Sequence, residues 1–275
     1  MKKIIVCLLV LSSFFACNKD CEECKDCSKH DTVYIPTPPP PDTSCKTDLT
    51  RDLLAYFPFN GNFNDESGNG NNATAKNGAF LTTDFLGKAN KAAGFDGYDD
   101  YLIVPGNPKL NADTVTISFQ VMLNTINRRH VTVSKINFQT GASLSYGIHC
   151  SQPADNKWNW GVTPGTDPCS STYSYDPSGS VYSNTYVAGR WYNVIASFAG
   201  GVEKLYVDGV LQGSKTRPFA NAKKCDNGDL MIGGWWTNDI VSIDGKLDEV
   251  RLYKRLLNDC EINKLAAAFI EPVGK

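Results

Sequence analysis

Oxygen donors and aromatic rings, more than nucleophiles, are the chemistry this chain offers. Between Asn60 and Asn72 the sequence gathers Asn60, Asn62, Asn64, Asp65, Glu66, Asn69, Asn71 and Asn72 among glycines. Calcium takes about six to eight oxygens from carboxylates, amides and carbonyls, so Asn60 and Asp65 are candidate ligands for that ion. The same residue types also serve turns in left-handed conformation, and both readings stand. Trp158 and Trp160 are two apart, so a strand would carry both rings on one face, where a sugar ring could stack. Tyr173 and Tyr175 repeat the spacing, and Trp235 with Trp236 follows an apolar run at a loop edge. Packing between sheets is the alternative use of each tryptophan. Hydrolytic machinery is harder to find. Apart from His30 near the N-terminus the chain has only His130 and His149, with no Gly-x-Ser-x-Gly elbow beside them.

Strands must position these groups. In Val115 to Leu123 the residues Val115, Ile117, Phe119, Val121 and Leu123 point one way, while Thr116, Ser118 and Gln120 point the other. That period of two marks a sheet with one buried face. Further strands are expected at Leu54 to Phe59, Tyr101 to Val104, His130 to Ile136, Ser143 to His149, Trp191 to Phe198, Lys204 to Val207, Leu230 to Gly233 and Asp248 to Tyr253. Asp208-Gly209 is a two-residue hairpin signal. Ser151 to Asn184, rich in Pro, Ser, Asp and Tyr, reads as a variable loop of the kind that binds ligands. Near the end, Asn258 and Glu261 form a capping box before Ile262, Leu265 and Phe269, so one short helix closes the chain. Residues 51–270 therefore read as one all-β domain, an antiparallel two-sheet sandwich or jelly roll, with 271–275 as a tail.

The N-terminus is of another kind. Lys2 and Lys3 precede a thirteen-residue apolar stretch, Ile4 to Ala16, short of the roughly 20 residues a bilayer-spanning helix needs. Residues 1–16 read as a signal peptide. Phe14-Phe15-Ala16-Cys17 resembles a bacterial lipobox, which implies that Cys17 carries lipid and begins the mature chain. Asn18 to Glu23 is similar to the acidic export tags of Bacteroidetes surface lipoproteins. An outer-membrane location with a lipid anchor, displayed at the cell surface, is the expectation. Residues 17–50 hold the run Pro36 to Pro41 and few large apolar residues, so they form a stalk of polyproline II character, without a core.

Setting aside Cys7 and Cys17, eight of the 10 cysteines remain, and even parity in an exported chain favours disulfides. Cys150 with Cys169 is one candidate pair, and Cys225 with Cys260 another. Cys21, Cys24, Cys27 and Cys45 could instead hold zinc or an iron–sulfur cluster. The 27 basic and 29 acidic groups become 25 and 29 once Lys2 and Lys3 are removed, a net −4 with no basic cluster, which excludes nucleic acid as the expected partner.

Tyr56 to Gly70 and Gly94 to Tyr101 resemble the opening of LamG-like, concanavalin A-like jelly-roll domains. Gly189 to Val194, Leu205 to Gly209 and Gly245 to Tyr253 match later blocks in the same order. The resemblance implies two antiparallel sheets of about a dozen strands in all. It also implies a calcium ion joining the first strand region to an aspartate at the start of the last strand, here Asp248. Laminarinase-type glucanases of this fold carry Glu-x-Asp-x-x-Glu on one strand, a motif absent here. The expectation is a binding domain for a glycan or a surface protein that catalyses nothing. A hydrolase with carboxylates drawn from distant strands and a structural envelope subunit are the alternatives.

Overall fold

The computed structural model describes residues 46–126, 128–137, 143–150, 157–169, 181–235 and 241–268. Cys17, the cysteines of the stalk, Tyr173, Tyr175, Trp236, Phe269 and the tail lie outside that set.

Two antiparallel sheets face each other. Sheet I runs β13 (Val210–Thr216), β12 (Val202–Val207), β11 (Trp191–Ala199), β6 (Val115–Leu123), β15 (Asp244–Tyr253), β4 (Ala92–Asp96) and β3 (Phe80–Thr82). β1 (Leu53–Phe57) pairs with the later half of β15, beside the part that β4 occupies. Sheet II runs β10 (Val181–Thr185), β9 (Lys157–Val162), β8 (Ser143–Cys150), β7 (His130–Asn137), β14 (Asp229–Ile232), β5 (Tyr101–Val104) and β2 (Thr74–Lys76).

The alternation read in β6 is observed. Val115, Ile117, Phe119, Val121 and Leu123 enter the core between the sheets, together with Val194, Ala196 and Phe198 of β11. The opposite face of sheet I is not solvated throughout. Over one part of it lies α1 (Asp259–Ala267), whose Ile262 and Leu265 pack on Ile195 and Tyr253. Asn258 and Glu261 cap α1 reciprocally, and Glu261 also accepts from the two terminal guanidinium nitrogens of Arg255, at 2.7 and 2.8 Å. The hairpin at Asp208 and Gly209 turns through φ 51° and 79°, the double left-handed geometry its sequence favours.

Other expectations needed correction. β9 lies within the segment read as a loop from Ser151 to Asn184, and β10 begins in it. β15 begins at Asp244, so Asp248 sits inside the strand, not at its start.

Candidate functional site

Sheet I brings together three polar side chains that are remote in sequence. Asn193 of β11 pairs with Gln120 of β6, and Gln120 pairs with Asp248 of β15. Directly paired residues of antiparallel strands project to the same side, so the three form a row. They are only 2%, 3% and 4% exposed, yet all three line an open cleft of about 330 Å³ beside α1. Its walls include Asp84, Leu86 and Lys91 from the connection between β3 and β4, Asn60 after β1, and Lys264 of α1.

A bulge shapes this row. Register shifts between Asp248 and Arg251, and Glu249 takes φ +53°, a conformation that side chains other than glycine adopt at a cost of about 1–3 kcal/mol. The irregularity lets the adjacent residues Asp248 and Glu249 both reach the cleft. Burial pushes the Asp248 carboxyl up to about 8, aided by the negative charges of Glu249 and Asp84 and opposed by the Glu249 N–H and Arg251. It is therefore mostly protonated at neutral pH. Glu249 is held by the Tyr56 hydroxyl, which donates at 2.9 and 3.1 Å, and by an ion pair to Arg251. The Arg251 guanidinium lies 4.1 Å from the centre of the Tyr56 ring. Asn193 Oδ1 and Gln120 Oε1 are buried and accept no hydrogen bond.

Of the residues considered for calcium, Asn60 and Asp248 line this cleft and Asp65 does not. Asp65 Oδ1 accepts from the backbone N–H of Tyr56 and Ser67, each at 2.9 Å, and Oδ2 from that of Asn71 at 2.8 Å. Asn62, Asn69, Asn71 and Asn72 likewise bond nearby backbone groups. These bonds tie the loop to itself and to β1, and its left-handed positions are Gly61, Gly68 and Gly70, not the asparagines. Elsewhere Asp96, Asp99 and Asp100 bring carboxylate oxygens within 4.8 Å of one another, with Asp100 accepting from the Asp96 N–H at 3.0 Å.

The aromatic candidates divide. Trp158 and Trp160 share a face, as their spacing requires, but that face is the inner one: they are 1% and 0% exposed and belong to the core. Trp158 meets Phe119 edge-on, and Trp160 donates from Nε1 to the Ser197 carbonyl at 3.1 Å. Their assignment to a ligand platform is corrected accordingly. Trp235 is buried in a smaller cluster with Val131 and Met231. The Arg129 guanidinium lies 4.5 Å from the centre of its ring, and His149 meets it edge-on. Burial lowers His149 to about 3 and His130 to about 4, so both histidines are neutral.

The cysteine pairing is corrected as well. Cys169 bonds Cys225, with Cα atoms 5.6 Å apart, while Cys150 is a buried thiol outside any disulfide. The Pro164–Ala222 bridge and the Lys223 N–H to Thr163 carbonyl bond lay the two segments side by side. Cys150 meanwhile ends β8 within the core. Cys260 is disulfide-bonded.

Sequence reasoning missed the row of Asn193, Gln120 and Asp248 as a unit. Its one legible trace was the polar side of β6, which includes Gln120.

Similarity to known proteins concerns the fold. Domain 4 of AbnA, a GH43 extracellular arabinanase from Geobacillus stearothermophilus solved with arabinotriose, aligns at TM-score 0.54 and 21% identity, covering 78% of this chain and 98% of that one. The binding domain of Paraclostridial Mosquitocidal Protein 1 aligns at 0.62 and 15%, covering 81% and 53%. A Trypanosoma rangeli sialidase aligns at 0.59 and 18%, covering 84% and 35%. The chain thus spans about half of the mosquitocidal chain and a third of the sialidase. A search of curated proteins finds no match. The Laminin_G_3 family model matches residues 96–263. On that match, and on two antiparallel sheets stacked about one core, the chain belongs to the concanavalin A-like lectin/glucanase superfamily.

Proposed function

We propose that this protein is a carbohydrate-binding lipoprotein of the bacterial outer membrane, anchored through Cys17, whose jelly roll holds a glycan in the cleft beside α1 without catalysing a reaction. The observation that carries this reading is the cleft beside α1, whose lining includes Gln120 and Asn193, polar side chains that are almost fully buried and whose amide oxygens have no partner. A buried acceptor is unfavourable unless something donates to it, and sugar hydroxyls are donors. The arabinotriose complex of the arabinanase domain supports the ligand class.

A glycan array with the full chain tests the reading, with reducing-sugar release followed in parallel. Binding without release supports it. Release abolished by Asp248→Asn would replace it with a hydrolase, and a panel with no binder would leave a structural or protein-binding role. Lipidation is tested by Cys17→Ala, which is expected to move the protein out of the membrane fraction; unchanged partitioning would refute it. Calcium is a separate proposal, with Asn60 and Asp248 as its ligands. Chelator should then lower the melting temperature of the parent and leave that of Asp248→Ala unchanged.

A further inference from the structure

Residues 46–51, which lead into β1, are held by the end of the chain. Arg255 donates from Nε to the Arg51 carbonyl at 2.9 Å and from a terminal nitrogen to the Asp48 carbonyl at 2.6 Å. The Tyr253 hydroxyl donates to the Leu49 carbonyl at 3.1 Å. At the start of α1, Glu261 accepts from the Asp48 N–H at 3.0 Å, and Asn258 Nδ2 donates to the Lys46 carbonyl at 3.2 Å. The second residue of α1 is Cys260, half-buried and disulfide-bonded. Among the described residues Cys169 and Cys225 bond each other, and Cys150 is a thiol. Cys7, Cys17, Cys21, Cys24 and Cys27 all precede the run Pro36 to Pro41, whereas Cys45 adjoins Lys46. Successive Cα atoms are about 3.8 Å apart and disulfide-bridged ones about 4.4–6.8 Å. A residue next to Lys46 is therefore within reach of one two places beyond Asn258.

We propose that Cys45 and Cys260 form a disulfide that clamps the segment entering β1 to α1 and so fixes one wall of the cleft. That segment carries Leu49, and α1 carries Lys264 and Leu265, all three of which line the cleft. A helix of 9 residues is marginal by itself, and chain ends fray unless they are tied down. α1 rests on the sheet chiefly through Ile262 and Leu265, so a covalent tie at its first turn adds what packing alone supplies sparingly. Formation is a thiol–disulfide exchange with an oxidised dithiol donor: one cysteine thiolate attacks the donor disulfide and joins one of its sulfurs, and the other donor sulfur leaves as a thiolate. The second cysteine thiolate then attacks this mixed disulfide, and the donor departs as a dithiol carrying both electrons and both protons. The pairing takes Cys45 out of the set of four whose spacing suits zinc or an iron–sulfur cluster, and it holds whatever the cleft binds.

The test takes the full chain, purified without reductant and with its thiols blocked, through tryptic digestion and mass spectrometry. Cleavage after Lys29, Lys46, Arg255 and Lys264 leaves residues 30–46 and 256–264, each holding a single cysteine. The two peptides should run as one linked species that reduction separates. A blocked thiol at Cys45 or Cys260, or either peptide linked to any other, overturns the pairing. Hydrogen exchange then reads the clamp. Cys45→Ser and Cys260→Ser should each speed exchange of the α1 amides by about tenfold or more, and the double variant no further, while β6 and β11 keep the protection they have in the parent. Unchanged exchange in α1, or single-variant effects that add in the double variant, overturns the clamp.

Discussion

Asp248 makes the stability of this domain depend on pH in a direction opposite to that of most carboxylates. Its carboxyl sits at about 8 in the fold against 3.8 for the ordinary group. Between about pH 4 and pH 8 the folded state therefore holds a proton that the unfolded chain has released. Stability contributed by that proton is complete below pH 4, declines by up to about 1.4 kcal/mol per pH unit, and is gone above pH 8. Burial is the main cause, with Glu249 and Asp84 adding to it and Arg251 opposing it. Asp248→Asn keeps the size and the acceptor for the Glu249 N–H while removing the ionisation. Urea denaturation of parent and variant from pH 5 to pH 9, in chelator, gives a difference curve in which contributions common to both cancel. The variant's relative stability should rise through pH 5 to 8 with that slope and then level off. A flat difference, or one that falls with pH, would refute the assignment of a desolvated carboxyl at this position.

Trp160→Ala should cost about 3–5 kcal/mol, since the ring is enclosed in the core and its N–H is bonded; thermal melting checks it, and a fully stable variant would return the ring to the surface. Replacing Cys169 and Cys225 by serine opens a link across a sequence separation of 56 and should cost about 4 kcal/mol by chain entropy, read as a lower denaturation midpoint in urea. Glu261→Gln leaves Arg255 buried beside a neutral amide and weakens the capping box, so a loss of about 3 kcal/mol is expected; an unchanged midpoint would mean that α1 contributes little to the fold.

Local patterns in the sequence carried much of the architecture. The alternation in Val115 to Leu123 fixed β6 and its inner face, because side chains in a strand repeat every two residues whatever surrounds them. Asp208-Gly209 specified its hairpin, and Asn258 with Glu261 the start of α1, because each acts through backbone groups a few residues away. The spacing of Trp158 and Trp160 likewise put both rings on one face.

Which face that would be was decided only by the stacking of two sheets, which turned the pair inward. The disulfide between Cys169 and Cys225 depended on a bridge between segments far apart in the chain. The cleft floor needed more still: the register of β11 on β6 and of β6 on β15, the bulge at Asp248 and Glu249, and α1 as a wall. Gln120 was legible as polar and outward. Its burial without a partner is set by strands and a helix from elsewhere in the chain, since desolvation depends on what surrounds a group in space and not on its neighbours in sequence.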